Sequence, residues 1–261
     1  LENIEIDTFV YNYAGLFYKK TKKIKKSIKY FEKAIKCQNK IGDKHALADY
    51  YHNMATCYGI DGNGDKMLNL IDRSQKSYLE LEDMTRLGNS YAEMGNAFKT
   101  LERFDDSISM FDKAKPIFLS EEMYFKYNQV LIIQSDAYIE IDDYDNAKAN
   151  LEEAEKYSKK FDNPIMNGRI SFSNARVMYG KGELSHASEY IDESIDIFQD
   201  LNNKAQLANL FIFKANIMMD CKKFKRVEKC LDKAKKYMKR LNDPGLDSNY
   251  KSTLGRYNSM D

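Results

Sequence analysis

The sequence predicts an all-α protein organised as an α-solenoid of stacked helical hairpins. Its 261 residues combine 43% hydrophobic with 31% charged residues, and only 12 glycines and 3 prolines interrupt the chain. That composition argues against disorder and against a turn-rich β protein. A pattern of residue types also recurs every 40 residues, which is the sequence signature of a helical repeat array.

The first helix of each repeat is marked by a small residue that is followed, three residues later, by a large one. The small side chain lets a neighbouring helix approach, and the large side chain fills the adjacent gap. The small residues are Gly15, Ala55, Gly95, Ser135, Ala175, Ala215 and Gly255. The large residues are Tyr18, Tyr58, Phe98, Tyr138, Met178 and Met218.

The second helix of each repeat carries columns at spacings of 3, 4 and 7, which place them on one helical face. The large column comprises Phe31, Ile71, Phe111, Leu151, Ile191 and Leu231. The small column that follows it comprises Ala34, Ser74, Ala114, Ala154, Ser194 and Ala234. Short polar turns such as "DGNGD" at 61–65 separate the two helices, so each repeat is predicted to be a helical hairpin.

A tetrapeptide that closes each hairpin recurs in step with these columns. Its apolar first residue ends the second helix, at Ile41, Leu81, Phe161, Leu201 and Leu241. Its third residue is suited to cap the next helix by accepting free backbone N–H groups, at Asp43, Asp83, Asn163, Asn203 and Asp243. At 121–124 the same columns hold Glu121 and Met123, so we expect an altered junction there, with Ser120 as a shifted cap.

The stretches "YNYAGLFYKKTKKIKKSIKYFEKAI" at 11–35 and "YAEMGNAFKTLERFDDSISMFDKA" at 91–114 resemble the tetratricopeptide repeat (TPR) family. The resemblance covers the chain as one domain, 1–261, with six units near 8–47, 48–87, 88–127, 128–167, 168–207 and 208–247. "NYKSTLGRYNSM" at 249–260 is similar to a seventh first helix and predicts a capping helix over 248–260. The family's usual period is about 34 residues, and lengthened repeats of this kind resemble those of bacterial signalling proteins.

The units depart from the family pattern at two kinds of position. The family's leucine column holds Gln134, Asn174 and Lys214, and Gly64 replaces an aromatic residue at a second turn. We expect these departures to alter the local packing but not the fold.

The resemblance implies a right-handed superhelix with a concave wall that is lined mainly by the first helices. The residues expected to bind a peptide there are Asn53, Asn89, Glu93, Asn96, Asp136, Arg169, Phe172, Arg176, Asn209, Phe213 and Asn216. An asparagine amide carries donors and an acceptor, so a row of asparagines suits an extended peptide backbone. The two arginines are suited to clamp a carboxylate, and the two phenylalanines to anchor an apolar side chain. The alternative is a solvated face that happens to be rich in asparagine.

Charge and cysteine content argue against several other functions. The formal net charge is +1, so the chain has no overall field that would select nucleic acid or a membrane. Four cysteines without paired spacing predict neither a zinc site nor a disulfide scaffold, and they favour a reducing cytoplasm. The sequence has no phosphate-cradling loop, nucleophile elbow or close pair of histidines, so we expect no catalysis, no metal and no cofactor.

We therefore predict a peptide- or protein-binding module that serves as the sensory or regulatory domain of a larger bacterial signalling protein. The chain begins with Leu1 rather than Met, which favours a fragment with a fused output domain outside it. An assembly scaffold or chaperone adaptor is the alternative. A phosphatase-like protein of the bacterial phosphorelay is a third hypothesis, although it needs an N-terminal helical bundle for which residues 1–7 leave no room. A homodimer through a terminal helix is a further expectation.

Overall fold

The computed structural model of the protein describes residues 2–160, 163–239 and 241–260. These residues form thirteen α-helices and no strand, which confirms the all-α prediction. The helices are α1 (Glu2–Lys20), α2 (Ile24–Ile41), α3 (Lys44–Ile60), α4 (Gly64–Glu80), α5 (Met84–Thr100), α6 (Phe104–Ser120), α7 (Tyr124–Glu140), α8 (Tyr144–Ser158), α9 (Pro164–Gly180), α10 (Leu184–Asp200), α11 (Lys204–Asp220), α12 (Phe224–Met238) and α13 (Pro244–Asn258). We call the odd-numbered helices A helices and the even-numbered helices B helices, since an A helix opens each hairpin.

The 40-residue period consists of two half-periods, each a helix followed by a short turn. Helices α3 to α7 and α9 to α11 are all 17 residues long. The turns share a residue in the left-handed conformation, at Lys22, Gly42, Gly62, Glu82, Glu102, Glu122, Asp142, Gly182, Asn202 and Lys222. In nine of these turns the next N–H donates back across the helix end, as from Asn63 to the Tyr58 carbonyl at 2.9 Å, whereas at Gly42 the glycine N–H itself donates to the Gln38 carbonyl at 2.9 Å. Because this bond satisfies a helix-terminal carbonyl, one turn geometry ends helix after helix at the same length.

The predicted N-terminal caps are confirmed. Side-chain oxygens accept backbone N–H groups at Asp43, Asp83, Asn163, Asn203 and Asp243. Phe161, which was predicted to end the second helix of the fourth repeat, lies outside the described residues.

The prediction of an altered junction at 121–124 is wrong. Glu122 has a φ of 55°, like its counterparts in the other turns, and α7 begins at Tyr124 as the period requires. The Met123 N–H donates to the Phe118 carbonyl at 2.7 Å, while the Ser120 hydroxyl donates back to Ile117 and caps nothing. The left-handed residue and the closing hydrogen bond preserve the turn without an Asp or Asn at the cap position.

The chain divides into two compact units, Leu1–Val130 and Leu131–Asp261, and the division falls inside α7. In the first unit, Gly15 of α1 lies against the fully buried Phe31 of α2, where a Cβ on the glycine would come within 2.7 Å of the ring. The Ser27 hydroxyl donates to the Gly15 carbonyl at 2.7 Å and holds the two helices at this distance. The paired small and large columns of the sequence therefore mark close A–B packing.

In the second unit, the polar residues of the leucine column find partners on neighbouring B helices. The three pairs are Gln134 with Asn150 at 2.9 Å, Asn174 with Glu155 at 2.9 Å, and Lys214 with Asp192. A buried polar group is tolerated when it is hydrogen-bonded. The departures from the family pattern therefore change the packing locally and leave the hairpins intact, as expected.

The capping helix is present as α13, which begins at Pro244 and thus four residues before the predicted start at 248. Asp243 caps it, and Leu246 and Tyr257 bury its inner side. The assignment of 1–261 to one domain and the bounds of its units stay predictions. None of the helices described above is long and apolar enough to cross a membrane.

Candidate ligand-binding face

The predicted binding residues lie on the A helices, and each compact unit presents its own set. The set that we call the first-unit face comprises Lys19, His52, Asn53, Thr56, Asn89, Glu93, Asn96 and Lys126. The set that we call the second-unit face comprises Asp136, Glu140, Arg169, Phe172, Arg176, Tyr179, Asn209, Phe213, Asn216, Asp220 and Arg256.

Lys19 connects α1 to α3 in the first-unit face. Its Nζ donates to Asn53 Oδ1 at 3.2 Å and to Thr56 Oγ1 at 2.9 Å. Asn53 in turn donates from Nδ2 to the Asp49 carbonyl of its own helix at 3.0 Å, which fixes the amide. Both partners of the ammonium group are neutral, so these contacts position the positive charge without cancelling it.

Lys126 connects α7 to α5 in the same way. Its Nζ donates to Asn89 Oδ1 at 2.7 Å and lies 5.8 Å from the ring centroid of Phe118. An amide oxygen and an aromatic face both attract a cation, yet neither carries a net charge. The first-unit face therefore holds two ammonium groups whose hydrogen-bond and ring partners are uncharged.

His52 and Glu93 form the ionisable pair between these lysines. His52 Nε2 lies 2.7 Å from Glu93 Oε2, and its Nδ1 lies 3.2 Å from the hydroxyl of Ser90. The hydrogen bond with His52 is the main cause that lowers the pKa of Glu93; burial opposes it, and Lys19 and Lys126 add to the lowering. Glu93 is therefore anionic at neutral pH, and its single negative charge against two lysines leaves the face with a net positive charge.

An open cleft of about 420 Å³ lies beside this pair, between α3 and α5. Thr56, Gly59, Ile60, Glu93, Asn96, Ala97, Thr100 and Leu101 line it. Ile60 is 62% exposed, which is unusual for an isoleucine and gives the cleft an apolar wall open to a ligand. Asn96 at the rim donates one amide hydrogen to the Ala92 carbonyl at 3.1 Å, and its amide oxygen has no partner among the described residues.

In the second-unit face, Arg176 is already paired. Its Nη1 lies 2.9 Å from Asp136 Oδ1 and its Nη2 lies 2.6 Å from Glu140 Oε1, both on α7. Ser173 also donates to Asp136, at 3.1 Å. A ligand carboxylate at this position would have to displace an acidic side chain of the protein itself, so the predicted clamp is not an open one.

The two predicted phenylalanine anchors lie together. The rings of Phe172 and Phe213 meet edge to face at 5.5 Å, and Tyr179 meets Phe213 in the same manner at 5.3 Å. Burial and then a hydrogen bond to Asp220 raise the pKa of Tyr179, which therefore stays protonated and donates to that carboxylate. Arg256 of α13 pairs with Asp220 and completes a polar border around the aromatic cluster.

The remaining predicted residues are Asn216, Arg169 and Asn209, which are partly exposed. Asn216 lies 3.4 Å from Thr253 Oγ1 and 3.3 Å from Arg256 Nη1, whereas Arg169 and Asn209 are half-buried on their helices. Sequence reasoning missed Lys19 and Lys126. On each A helix the predicted positions recur at spacings of four and three residues. Lys19 lies three residues after the last of these positions on α1, and Lys126 lies three residues before the first on α7, so one further step in each direction would have found both.

The model of a protein family described as soluble NSF attachment protein (SNAP) matches residues 5–171. No curated protein matches the sequence. The chain is also similar to a solved structure of BtubC (BKLC) from P. vanneervenii, with 16% identity, a TM-score of 0.72, and coverage of 84% of this chain and 92% of that one.

Two further structures share the fold. Aspartyl phosphate phosphatase F from Bacillus subtilis is 12% identical, with a TM-score of 0.73, over 87% of this chain and 60% of that one. A signal transduction ATPase (STAND protein) with a tetratricopeptide repeat sensor from Pyrococcus horikoshii is 15% identical, with a TM-score of 0.79, over 98% of this chain and 42% of that one. The chain therefore spans less than two thirds of these two proteins. The TPR-like α-solenoid fold class is confirmed.

Proposed function

The chain belongs to the soluble NSF attachment protein family, a TPR-like helical repeat family, and from this premise we propose that it is a peptide- or protein-binding module that recognises a segment bearing a carboxylate. The observation that carries the proposal is the first-unit face, where Lys19 and Lys126 donate to uncharged side chains beside an apolar cleft.

The lysines keep donors for a ligand. An ammonium group has three hydrogen-bond donors, of which Lys19 uses two and Lys126 one in the contacts above. A ligand carboxylate would form charge-assisted bonds with them, which are stronger than the bonds to neutral amides that they make now. Asn96 at the rim offers an amide oxygen to a backbone N–H, and the cleft beside Ile60 accepts one apolar side chain. The ligand class is therefore an extended segment with an acidic residue near an apolar one.

For the biological role, we propose a sensory or regulatory domain fused to an output domain. The similarity to a STAND protein described as having a tetratricopeptide repeat sensor supports this, because nearly the whole chain aligns with a minor part of that protein. The phosphatase-like hypothesis is supported only by similar structures such as aspartyl phosphate phosphatase F. The proposal includes no catalytic step, no cofactor and no binding of nucleic acid or membrane. The cytoplasm is the proposed location, since the four cysteines are free thiols.

The second candidate is an adaptor or assembly scaffold. The description of the family as an attachment protein favours it. On this alternative the first-unit face would bind one protein while another surface binds a second.

The experiment is selection of binders from a displayed library of random 12-residue peptides, followed by titration of the enriched peptides. We expect acidic residues to be enriched. We also expect Lys19→Gln/Lys126→Gln to weaken binding by at least about 100-fold, because one charged hydrogen bond lost at each lysine costs about 1.5–3 kcal/mol and about 1.4 kcal/mol is tenfold in affinity. Binding to the wild type should also weaken as salt is added.

The matched control removes the same charge elsewhere. Lys36 and Lys40 are exposed on α2, a B helix, and Lys36→Gln/Lys40→Gln should bind the peptides as the wild type does. Enriched peptides without acidic residues, or equal binding to both double variants, would refute recognition at the first-unit face.

A further inference from the structure

One helix of the first unit exposes an unusual amount of apolar surface. Along α1, the side chains of Ile6, Phe9, Val10, Tyr13 and Phe17 recur at spacings of three and four, which places them on one face. We call them the α1 stripe, and they are 52–62% exposed. The rings of Phe9 and Tyr13 lie 4.3 Å apart and form a continuous aromatic surface. Single exposed apolar residues are ordinary, but a contiguous patch of this kind marks an interaction site.

The repeat shows what such a face does elsewhere in the chain. The column of Val10 continues as Tyr50 and Ser90, and the column of Phe17 continues as Cys57; all three are buried. In these later repeats the preceding helices cover the columns, as α2 packs against α3 and α4 against α5. The columns of Phe9 and Tyr13 instead continue as Asn89, Asn53 and Glu93 of the first-unit face. The edge of the α1 stripe at Val10 and Phe17 is therefore a helix-stacking surface by its register, and an amphipathic helix is the occupant that this edge fits.

We propose that the α1 stripe binds the α1 stripe of a second copy of this chain, with the two helices antiparallel. A twofold-related contact lets the same five residues cover one another and closes the assembly at a dimer. The antiparallel direction follows from the charges along the helix. Glu5 and Asp7 lie on its first two turns, whereas Lys20 ends it and Lys22 and Lys23 follow in the turn.

The charges also match in detail. In antiparallel pairing centred on the stripe, the acidic first turns of one copy meet the basic end of the other, whereas parallel pairing would set like charges against each other. Glu5 and Lys20 are fifteen residues apart, about 60° around the helix at 3.6 residues per turn, so they lie on the same flank of the stripe. Same-flank residues meet in an antiparallel pair, and Glu5 of one copy therefore pairs with Lys20 of the other.

The exposed area is sufficient for such a dimer. An aromatic side chain buries about 150–250 Å² when fully covered, and Ile6 and Val10 bury somewhat less. The five stripe residues, each half exposed or more, therefore contribute roughly 500 Å² per copy. Two copies bury roughly 1,000 Å² from the stripe alone, which reaches the lower limit of a specific interface before flanking residues are counted.

Sedimentation velocity of the chain over a range of concentrations tests the proposal. The wild type should sediment as a dimer at high concentration and dissociate towards the 30.4 kDa monomer on dilution. Val10→Glu places a charge at the middle of the stripe and should weaken dimerisation by at least about 100-fold, as at an interface hot spot. Leu79→Glu is the matched control, because Leu79 is 59% exposed on α4, away from the stripe, and it should dimerise as the wild type does.

Charge exchange tests the antiparallel direction. Lys20→Glu alone and Glu5→Lys alone should each weaken the dimer, and the double variant Glu5→Lys/Lys20→Glu should restore it at unchanged net charge. Circular dichroism would verify that each variant is as helical as the wild type. A monomer at every concentration, a dimer unaffected by Val10→Glu, or no rescue by the charge exchange would overturn the proposal. A monomer at every concentration is also the result expected if the stripe binds a different protein.

Discussion

Replacing Gly95 with alanine should destabilise the first unit, whereas the same change at Gly255, in the same repeat column, should stabilise α13. A Cβ at Gly95 would lie 2.6 Å from Phe111 Cε1 and 2.8 Å from its Cδ1. Ordinary contacts begin at 3.4 Å, so the ring has to retreat by most of an ångström. Around Gly255, by contrast, nothing lies within 4 Å of the added carbon. The two glycines differ in their neighbours and not in their place in the repeat.

The expected magnitudes combine two opposing effects. Alanine in place of glycine favours a helix by about 1 kcal/mol, while overpacking a core costs about 1–3 kcal/mol. Phe111 is fully buried, and the Ser107 hydroxyl donates to the Gly95 carbonyl at 2.8 Å, which holds α5 and α6 together. The ring therefore has little room, and we expect net destabilisation of about 1–2 kcal/mol for Gly95→Ala. Gly255→Ala should stabilise by about 0.5–1 kcal/mol.

Urea unfolding followed by circular dichroism measures both changes in the free energy of unfolding. Since repeat arrays can open locally, amide hydrogen exchange in α5, α6 and α13 should be recorded as well. Protection should fall in α5 and α6 for Gly95→Ala and rise in α13 for Gly255→Ala. If both substitutions stabilise the protein by similar amounts, the close approach of Phe111 does not limit this position.

Two further predictions concern the turns and the caps. Gly62→Ala should destabilise the chain by about 1 kcal/mol in the same urea assay. Gly62 has a φ of 79° and no atom lies within 4 Å of an added Cβ, so the left-handed backbone alone disfavours alanine there. An unchanged midpoint of urea unfolding would contradict this. Burial alone would raise the pKa of Asp83, but hydrogen bonds from Arg86 outweigh it and lower that pKa. The stabilisation by Asp83 is therefore fully present above its unfolded pKa of about 3.9 and is lost as pH falls through the lower folded value. Asp83→Asn should make urea stability less dependent on pH below about pH 5, and an unaltered acid dependence would exclude this role.

Much of the architecture could be predicted from the sequence because it depends on short-range interactions. Asp43 and its counterparts cap helices through N–H groups two or three residues away. The columns that contain Gly15 and Phe31 recur every 40 residues and mark the contact between the two helices of a hairpin. The turn geometry was harder to predict, since charged residues such as Glu102 and Glu122 occupy left-handed positions at which glycine would be expected. The closing hydrogen bond enforces that conformation at 121–124. The prediction failed there because it relied on the apolar and cap columns, which hold Glu121 and Met123, and did not consider that bond.

Residue types and their spacing along the chain were enough to predict the helical class, the 40-residue period, the caps and the helix face on which the candidate site lies. Which residues of that face pair with one another depends on the packing of separate repeats, because the partners lie about one repeat apart: Lys19 with Asn53, His52 with Glu93, and Arg176 with Asp136. A residue type predicts which hydrogen bonds a side chain is able to make, but the packing of successive A helices determines which it does make. That packing pairs Arg176, which was predicted to bind a ligand carboxylate, with carboxylates of the chain itself. It leaves Lys19 and Lys126 with uncharged partners, so that their charge is available for a ligand.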